Sequence, residues 1–425
     1  MSGPHQPSAA GSSTDSCTQD SAATEGPNLR LNPWLLCLVR AAQMALFPMA
    51  ILSVFLKQEI GFGLTQIMLL QGVFGVAMVV FEFPSGYLAD RIGYRNSLII
   101  AFSLWVVAWP IYGYSTTWAG VAVAELLLGV GMAMVSGCDC ALMYESLLAN
   151  DDEQSFARWS GRQMFFGQVS EGSAALVTGI LFTVGVQWPF LAQAGASAVG
   201  LCLVLALREP ARERPPFTDS LTQIRALLRH VGRENPRLRS LFAASIVLGM
   251  APFIAVWTVQ LYALDGGLPE PWLGPLWAVA NFSVAIAALL SHRLLSDRSL
   301  VGVVLGCTLL IVLGYLGMGL SYALWGFAFY YLLTITRGLQ GPLLRHREQR
   351  LVPSRDRAGF VSLRSMGFRL VFLILGPAVG LAIDAHGQHP VMYALALGFG
   401  MGGALAAWGL WRTRAEPPDA VSARG

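Results

Sequence analysis

Residues 64–95 read LTQIMLLQGVFGVAMVVFEFPSGYLADRIGYR, an apolar run that ends in a short charged turn. The apolar part, 64–88, contains a single charged residue, Glu82. At about 1.5 Å per residue such a run crosses the ~30 Å hydrocarbon core of a bilayer. In lipid it must be helical, because every backbone N–H and C=O group needs a partner within the chain. The stretch therefore predicts a transmembrane helix followed by a loop at the membrane surface.

The same pattern recurs along most of the chain. Of the 425 residues, 55% are hydrophobic and only 12% are charged, about half the charged share of soluble domains. We therefore expect an all-α membrane protein that acts as a monomer in the lipid bilayer, without a cofactor, a metal ion or a nucleic acid partner. Its twelve expected transmembrane helices lie at 33–56, 64–88, 96–114, 118–147, 161–186, 188–207, 240–262, 271–294, 299–318, 322–345, 361–383 and 389–411.

The arginines that lie in loops are all on one side of these spans. Those loops hold Arg91 and Arg95, Arg158 and Arg162, the 208–239 stretch, Arg293 and Arg298, the 345–357 stretch, and Arg412 and Arg414. The loops of the other side hold Lys57 and no arginine. By the positive-inside rule this asymmetry predicts that both termini are cytoplasmic, in the inner membrane of a bacterium.

The chain repeats at an offset of about 202 residues. Asn32-Pro33 before the first span matches Asn235-Pro236 before the seventh, and SGRQMFF (160–166) matches SLRSMGF (362–368). We expect a disordered cytoplasmic tail at 1–32, a six-helix bundle at 33–207 and a linker with an amphipathic helix at 208–239. A second six-helix bundle at 240–412 and a tail at 413–425 follow. Such a duplication places a binding site near the midplane, between two halves that rock against each other.

The turn after the second span carries a recognisable motif. FEFPSGYLADRIGYR (81–95) resembles motif A of the major facilitator superfamily, with its motif positions at Gly86, Leu88, Asp90, Arg91, Gly93 and Arg95. Tyr94 departs from the usual basic residue. The resemblance implies that this loop latches the two halves together on the cytoplasmic side, with a close helix approach at Gly86 and a tight turn at Gly93.

A second stretch points to a bacterial branch of that superfamily. SGCDCALMYESL (136–147) resembles a signature of the branch and suggests that Glu145 pairs with the motif A arginines. The chain departs in two features from the drug:proton antiporters of the superfamily. Glu125 stands about where their fourth span carries an arginine, and their fifth-span GPxxGG motif is echoed only by LGPAVG (375–380) in span eleven.

Ionisable residues within the spans are expensive to insert and are candidates for function. For the superfamily, spans one, four, seven and ten line the central cavity, which implies that Arg40, Glu125, Asp139 and Arg337 lie there. Glu125 and Asp139 are 14 residues apart, about four turns, so we expect them on one side of the helix. Proton coupling is assigned to Glu171 or Asp139, although Glu171 could equally be a structural partner of Arg40 or Arg364. Glu82, just before Pro84, is expected to be structural.

These features favour a secondary transporter of a small solute, most plausibly one that exports a drug-like molecule or metabolite in exchange for protons. Uptake of an organic anion is the alternative, because Arg40 and Arg337 lie within spans. An integral-membrane enzyme would need a cluster of histidines or acids at one depth, and a non-transporting receptor or scaffold would need an added folded domain. Asp384, His386 and His389 form a cluster that could ligate a metal, and a solvated loop explains them equally well.

Overall fold

The computed structural model describes residues 29–210, 235–295, 298–322, 324–352 and 357–413, together with positions 229 and 232. The amphipathic helix expected in the linker, most of the N-terminal tail and most of the C-terminal tail therefore lie outside the described residues. Within the described part the chain forms helices joined by short turns.

Six spans build the N-terminal bundle. They are α1 (Asn32–Met44), α2 (Leu64–Ile92), α3 (Tyr94–Tyr114), the two segments α4a (Trp118–Val135) and α4b (Cys138–Leu148), α5 (Phe156–Val184) and α6 (Trp188–Ala206). After α1 the chain finishes its crossing in three short turns, Phe47–Ala50, Leu52–Val54 and Phe55–Glu59.

Six further spans build the C-terminal bundle. They are α7 (Pro236–Asp265), α8 (Leu273–Leu295), α9 (Leu300–Leu320), α10 (Tyr330–Leu351), α11 (Arg357–His386) and α12 (Gln388–Arg412). We call the side that holds Arg91, Arg95 and Arg158 the Arg-rich end of the molecule, and the opposite side the Arg-poor end.

Eleven of these spans are long and apolar enough to cross a membrane by length and composition, among the residues described. The exception is α10, which carries Arg337 and a charged second half, Arg345–Arg350. It packs against α7, α8 and α9 in the second bundle, as α4a packs against α2 and α3 in the first. The twelve-helix prediction is thus confirmed, but α10 begins about eight residues later than the expected 322, after a 3-10 helix at Leu324–Phe329.

The two bundles repeat one packing scheme. In the first, α3 packs on α6 and α2 on α4a, and in the second, α9 packs on α12 and α8 on α10. The bundles meet through two equivalent helix pairs, α2 with α11 and α5 with α8. The repeat seen in the sequence therefore places its matching segments, α5 and α11, at the two interfaces between the bundles.

The two Asn-Pro pairs open their helices differently. The Asn235 side chain accepts a hydrogen bond from the Leu238 N–H at 2.9 Å and so caps α7. Asn32 instead donates to the Ser146 hydroxyl at 2.8 Å and to the Arg208 carbonyl at 2.7 Å. Asn32 thereby connects the start of α1 to α4b and to the segment that follows α6.

The fourth span is broken. Gly137 has φ +82°, in the left-handed region that favours glycine, and it separates α4a from α4b. A continuous helix was expected from 118 to 147, so the four-turn spacing between Glu125 and Asp139 does not hold in the folded chain.

Candidate functional site

A cavity of about 360 Å³ lies between the two bundles. Its wall is mostly aromatic and aliphatic, which suits an apolar or amphipathic solute. The polar groups on it are few, and they are Gln43, Gln71, Glu125, Gln193 and Arg369. The aromatic side chains come from both bundles and are Phe74, Trp105, Trp109, Tyr112, Phe253, Trp257, Phe368 and Phe372.

Glu125 is the one acidic residue of the cavity wall. It belongs to α4a and is only 3% exposed. Its Oε1 accepts a hydrogen bond from the Gln71 side-chain amide of α2 at 2.6 Å and another from the Tyr112 hydroxyl of α3 at 3.0 Å. These two donors fix the carboxyl group in position. The prediction that Glu125 faces the cavity agrees with this geometry.

Arg369 of α11 is a cavity residue that the sequence reasoning missed. Its guanidinium lies over the Phe74 ring of α2, with 5.9 Å from Cζ to the ring centroid. Its Nε is buried without a hydrogen-bond partner, as is one carboxyl oxygen of Glu82. Glu82 lies close enough to interact electrostatically with Arg369, with Ser362 beside it. Glu82 thus belongs to the contact between α2 and α11, as its structural interpretation expected.

Glu171 lies at the other interface between the bundles. It belongs to α5, is 7% exposed, and faces the side chains of Trp277 and Asn281 on α8. Arg337 of α10 and Arg40 of α1 are positive charges that interact electrostatically with it. One carboxylate is therefore surrounded by groups from both bundles. The alternative partner Arg364 is excluded, because Arg364 forms an ion pair with Glu348 at 3.3 Å.

Asp139 opens α4b and lies apart from Glu125. Its Oδ1 accepts a hydrogen bond from the Cys140 N–H at 2.8 Å, and its Oδ2 accepts one from the Gln163 amide of α5 at 3.3 Å. Arg40 is its nearest positive charge. Asp139 thus faces α1 and α5, whereas Glu125 lies in the cavity wall. The two residues were expected on one side of a continuous helix, and the break at Gly137 removes that spacing.

Arg40 links this second group to the cavity. Its Nη1 donates a hydrogen bond to the Gln43 side chain at 2.8 Å, one turn further along α1, and Gln43 lies in the cavity wall. Arg40, Asp139, Glu171 and Arg337 are not themselves among the residues that line the cavity. Three of the four residues expected to line the cavity, together with the proton-coupling candidate Glu171, thus form a charged group beside it.

Hydrogen bonds between the bundles close the Arg-poor end. The Gln260 side chain of α7 donates to the Met49 carbonyl at 2.7 Å and accepts from the Ser53 N–H at 3.0 Å. Ser53 also donates its hydroxyl to the Trp257 carbonyl at 3.0 Å. Between α5 and α8, Gly274 lies so close to the Ala175 carbonyl that no side chain would fit.

Asp384 forms further hydrogen bonds between the bundles at the same end. Its carboxylate, at the end of α11, accepts hydrogen bonds from the Leu64 N–H and the Thr65 N–H, both at 2.9 Å. The Thr65 hydroxyl donates to it at 2.6 Å. Asp384 therefore caps the N-terminus of α2 from the other bundle, where a negative charge is favourable.

Asp384, His386 and His389 do not converge on a common point in the described structure. His386 and His389 face the backbone carbonyls of Ala382 and Gly319, and the His389 ring stacks on Tyr322 at 3.9 Å. Among the described residues no group of three or more His, Cys, Asp or Glu side chains converges to hold a metal ion.

The motif A loop is bound to the end of α6 through Glu209, another residue that the sequence reasoning missed. Glu209 accepts hydrogen bonds from the Tyr94 N–H at 2.8 Å and the Arg95 N–H at 2.7 Å, at the start of α3. Gly93 has φ +98°, as its turn role requires, and it leaves room for the Glu209 carboxylate. The Arg95 guanidinium donates to the Leu205 carbonyl at 2.8 Å.

Among the described side chains, the contacts expected of the motif A latch are not formed. Arg91 lies over the Tyr87 ring at 4.8 Å, and in the described part of the chain neither Arg91 nor Arg95 forms an ion pair with Glu145. No described atom lies within 4 Å of where a Gly86 side chain would begin, so no other helix approaches closely there. The prediction for the side chain of Asp90 lies outside the described residues.

Comparisons with known proteins agree with this fold. YxaM of Bacillus subtilis (strain 168), an uncharacterized MFS-type transporter, is 27% identical over 154 residues, which are 36% of this chain and 37% of that protein. The POT family transporter PepTSo superposes with a TM-score of 0.76 at 14% identity, over 91% of this chain and 99% of that one. A D323A mutant of the nucleoside transporter NupG gives 0.75 at 15% identity, with the same coverage.

A third solved structure shares the fold. The inward-facing, unoccupied structure of a bacterial homologue of the human lysosomal transporter Spinster gives a TM-score of 0.71 at 16% identity, over 92% of this chain and 99% of that one. At such identities these likenesses show the fold alone. The family model described as Major Facilitator Superfamily matches residues 34–347, most of the chain. The chain therefore belongs to the Major Facilitator Superfamily.

Proposed function

We propose that this chain is a secondary active transporter that moves a small solute across the inner membrane of a bacterium by alternating access, as a monomer. The observation that carries the proposal is the cavity between two six-helix bundles, which hydrogen bonds across the bundles close at the Arg-poor end. A site at the interface of two repeats can face either side when the repeats rock against each other.

The cavity wall favours an amphipathic solute of drug-like or metabolite size. Its polar groups are few and separated by aromatic side chains, which is typical of sites that bind apolar ligands and fix their orientation with a few hydrogen bonds. Export is the direction that we propose, because such solutes enter cells through lipid without a carrier.

Proton coupling is the second part of the proposal, and Glu171 is its best candidate. A carboxyl group shielded from water can take up and release protons in the physiological range. Glu171 belongs to one bundle, while Trp277, Asn281 and Arg337 beside it belong to the other. A change in its charge would therefore alter the attraction between the bundles. Asp139 is the second candidate, since it faces Gln163 and Arg40 within one bundle.

Uptake of an organic anion is the alternative function, and Arg369 favours it. This cation lies in the cavity wall, and its Nε has no hydrogen-bond partner in the described structure. A carboxylate or phosphate would satisfy such a group. Family membership favours either kind of transport over an integral-membrane enzyme or a non-transporting scaffold.

The test is transport by the full-length protein in proteoliposomes, with a panel of amphipathic cations, neutral compounds and organic anions. Each compound is assayed with an inward pH gradient, an outward pH gradient and none. Exchange of a solute for protons is expected, so that transport depends on the gradient and acidifies or alkalises the lumen. If no solute moves under any gradient, the receptor or scaffold alternative replaces the proposal.

Variants separate the two coupling carboxylates. Glu171→Gln is expected to abolish acceleration by a pH gradient while exchange of solute across the membrane continues. Asp139→Asn is expected to leave the acceleration intact, and Glu153→Gln, at an exposed carboxylate, controls for the loss of any one charge. If both Glu171→Gln and Asp139→Asn keep full pH-driven transport, the coupling proposal is wrong.

A further inference from the structure

The two carboxyl oxygens of Glu125 have different surroundings. Oε1 accepts both hydrogen bonds, from Gln71 and Tyr112. Oε2 accepts none from any described residue, yet it is not among the buried polar atoms that lack a partner. Since Glu125 lies in the cavity wall, its free oxygen is open to the cavity. An acceptor is thus held in fixed orientation for a group that enters the cavity.

Glu125 also lacks a counter-charge. Among the described residues no Lys or Arg forms an ion pair with it, and the groups that act on it are the neutral Tyr112 and Gln71. The other charged residue of the wall, Arg369, comes from the opposite bundle and has Glu82 beside it. An unpaired buried carboxylate is costly, so a ligand that brings a positive charge is favoured at Glu125.

Aromatic side chains share the cavity wall with Glu125. Trp105, Trp109 and Tyr112 of α3 contribute to the same wall, and the centroids of the Trp109 and Tyr112 rings are 6.0 Å apart. The faces of aromatic rings attract cations once water is excluded. The remaining wall is mostly apolar, and the cavity of about 360 Å³ has room for a bicyclic aromatic group.

We propose that the solute of this carrier bears a protonated amine on an aromatic or apolar body, and that the amine binds the free Oε2 oxygen of Glu125. The ammonium N–H donates to that oxygen, while Gln71 and Tyr112 hold the carboxylate in place. This proposal rests on the proposed transport function and names the solute class for the same cavity.

The test measures binding of one aromatic body with four different head groups to the purified full-length protein. The probes are 2-(1-naphthyl)ethylamine, 2-(1-naphthyl)ethanol, 3-(1-naphthyl)propanoate and 3-(1-naphthyl)alanine. Dissociation constants are measured by equilibrium dialysis, and the rise in Tm with ligand concentration confirms binding to the folded state. The amine is expected to bind at least about tenfold more tightly than the alcohol.

Variants show whether Glu125 is the cause of this preference. Glu125→Gln keeps an acceptor for Gln71 and Tyr112 but removes the charge, and it is expected to reduce the preference for the amine over the alcohol to less than about threefold. Glu125→Asp keeps the charge and is expected to retain most of the preference. Glu153→Gln, at an exposed carboxylate, is the matched control and is expected to retain all of it.

Each outcome decides the proposal. A wild-type protein that binds the alcohol as tightly as the amine overturns it without reference to any variant, although the cavity then still binds solutes and the transport function stands. Full retention of the preference in Glu125→Gln overturns it also. Tighter binding of the propanoate supports the organic anion alternative through Arg369 instead. Failure of all four probes to bind, together with failure of the transport screen, overturns the cavity as a solute site altogether.

Discussion

Replacing Asp384 with alanine is expected to open the Arg-poor end of the molecule. The Asp384 carboxylate accepts three hydrogen bonds from two residues of the other bundle, Leu64 and Thr65. These bonds join α11 to α2, so they must break when the bundles separate at this end. Their loss therefore destabilises the closed state and leaves the open state unchanged.

The size of the effect follows from the kind of contact. Removing a side chain that caps a helix N-terminus costs about 0.5–2 kcal/mol, and water that screens an exposed charge lowers this cost. For the exposed Asp384 we take about 0.5–1 kcal/mol, which changes the ratio of closed to open molecules about two- to fivefold. Asp384→Asn keeps one acceptor oxygen, so its ratio of closed to open molecules is expected to lie between those of the wild type and Asp384→Ala.

Distances between spin labels at the Arg-poor end measure this ratio. Cysteines at Glu59, beside α1, and Glu270, beside α8, place one label on each bundle, in a protein whose native cysteines are replaced. Double electron–electron resonance in lipid nanodiscs is expected to show a longer-distance population that grows in Asp384→Ala. The matched control is Asp265→Ala, because Asp265 accepts a hydrogen bond from Gln388 of its own bundle at 2.9 Å. If Asp384→Ala and Asp265→Ala give the same distribution, the reasoning is refuted.

Three further predictions concern the ends of the bundles. Gly274→Val leaves its side chain no room beside α5, and is expected to lower stability by about 1–3 kcal/mol and lengthen the same label distance; an unchanged Tm would contradict it. Gln260→Leu leaves the Met49 carbonyl and the Ser53 N–H without their partner. Each unsatisfied group destabilises the closed state by about 1–3 kcal/mol, so the label distances are expected to shift more than in Asp384→Ala. Glu209→Ala removes the cap of α3 and is expected to speed amide hydrogen exchange in its first turn about fivefold, for a loss of about 1 kcal/mol; equal exchange in variant and wild type would show that the cap is not needed.

Hydropathy and charge predicted the twelve spans because they report the environment of the whole helix. The lipid determines that each span is apolar and helical, irrespective of its neighbours. The same uniform apolarity hides which face of a helix lines the cavity, since a span that is apolar all round has no polar stripe to orient it. Arg369 was missed for this reason, although it directly follows the SLRSMGF stretch (362–368) whose repeat was recognised.

The closing contacts were beyond sequence reasoning for a different reason. Asp384 and Leu64 are 320 residues apart, and nothing local to either residue announces that α2 begins beside the end of α11. Asp384 therefore looked like part of a solvated loop. The break at Gly137 is also ambiguous, because an isolated glycine in a helical pattern is usually tolerated. The break at Gly137 removes the helical spacing that was expected to place Asp139 on the same side as Glu125.

The interruption at Gly137 also divides the fourth span mechanically. The segment beyond it, α4b, has 11 residues, an arm of about 16 Å at 1.5 Å per residue. A rotation of about 20° at Gly137 would move the far end of that segment by about 6 Å. Such a rotation changes few backbone torsions, and Glu125 of α4a keeps its hydrogen bonds to Gln71 and Tyr112. The Arg-rich entrance can thus change its width while the solute pocket keeps its shape.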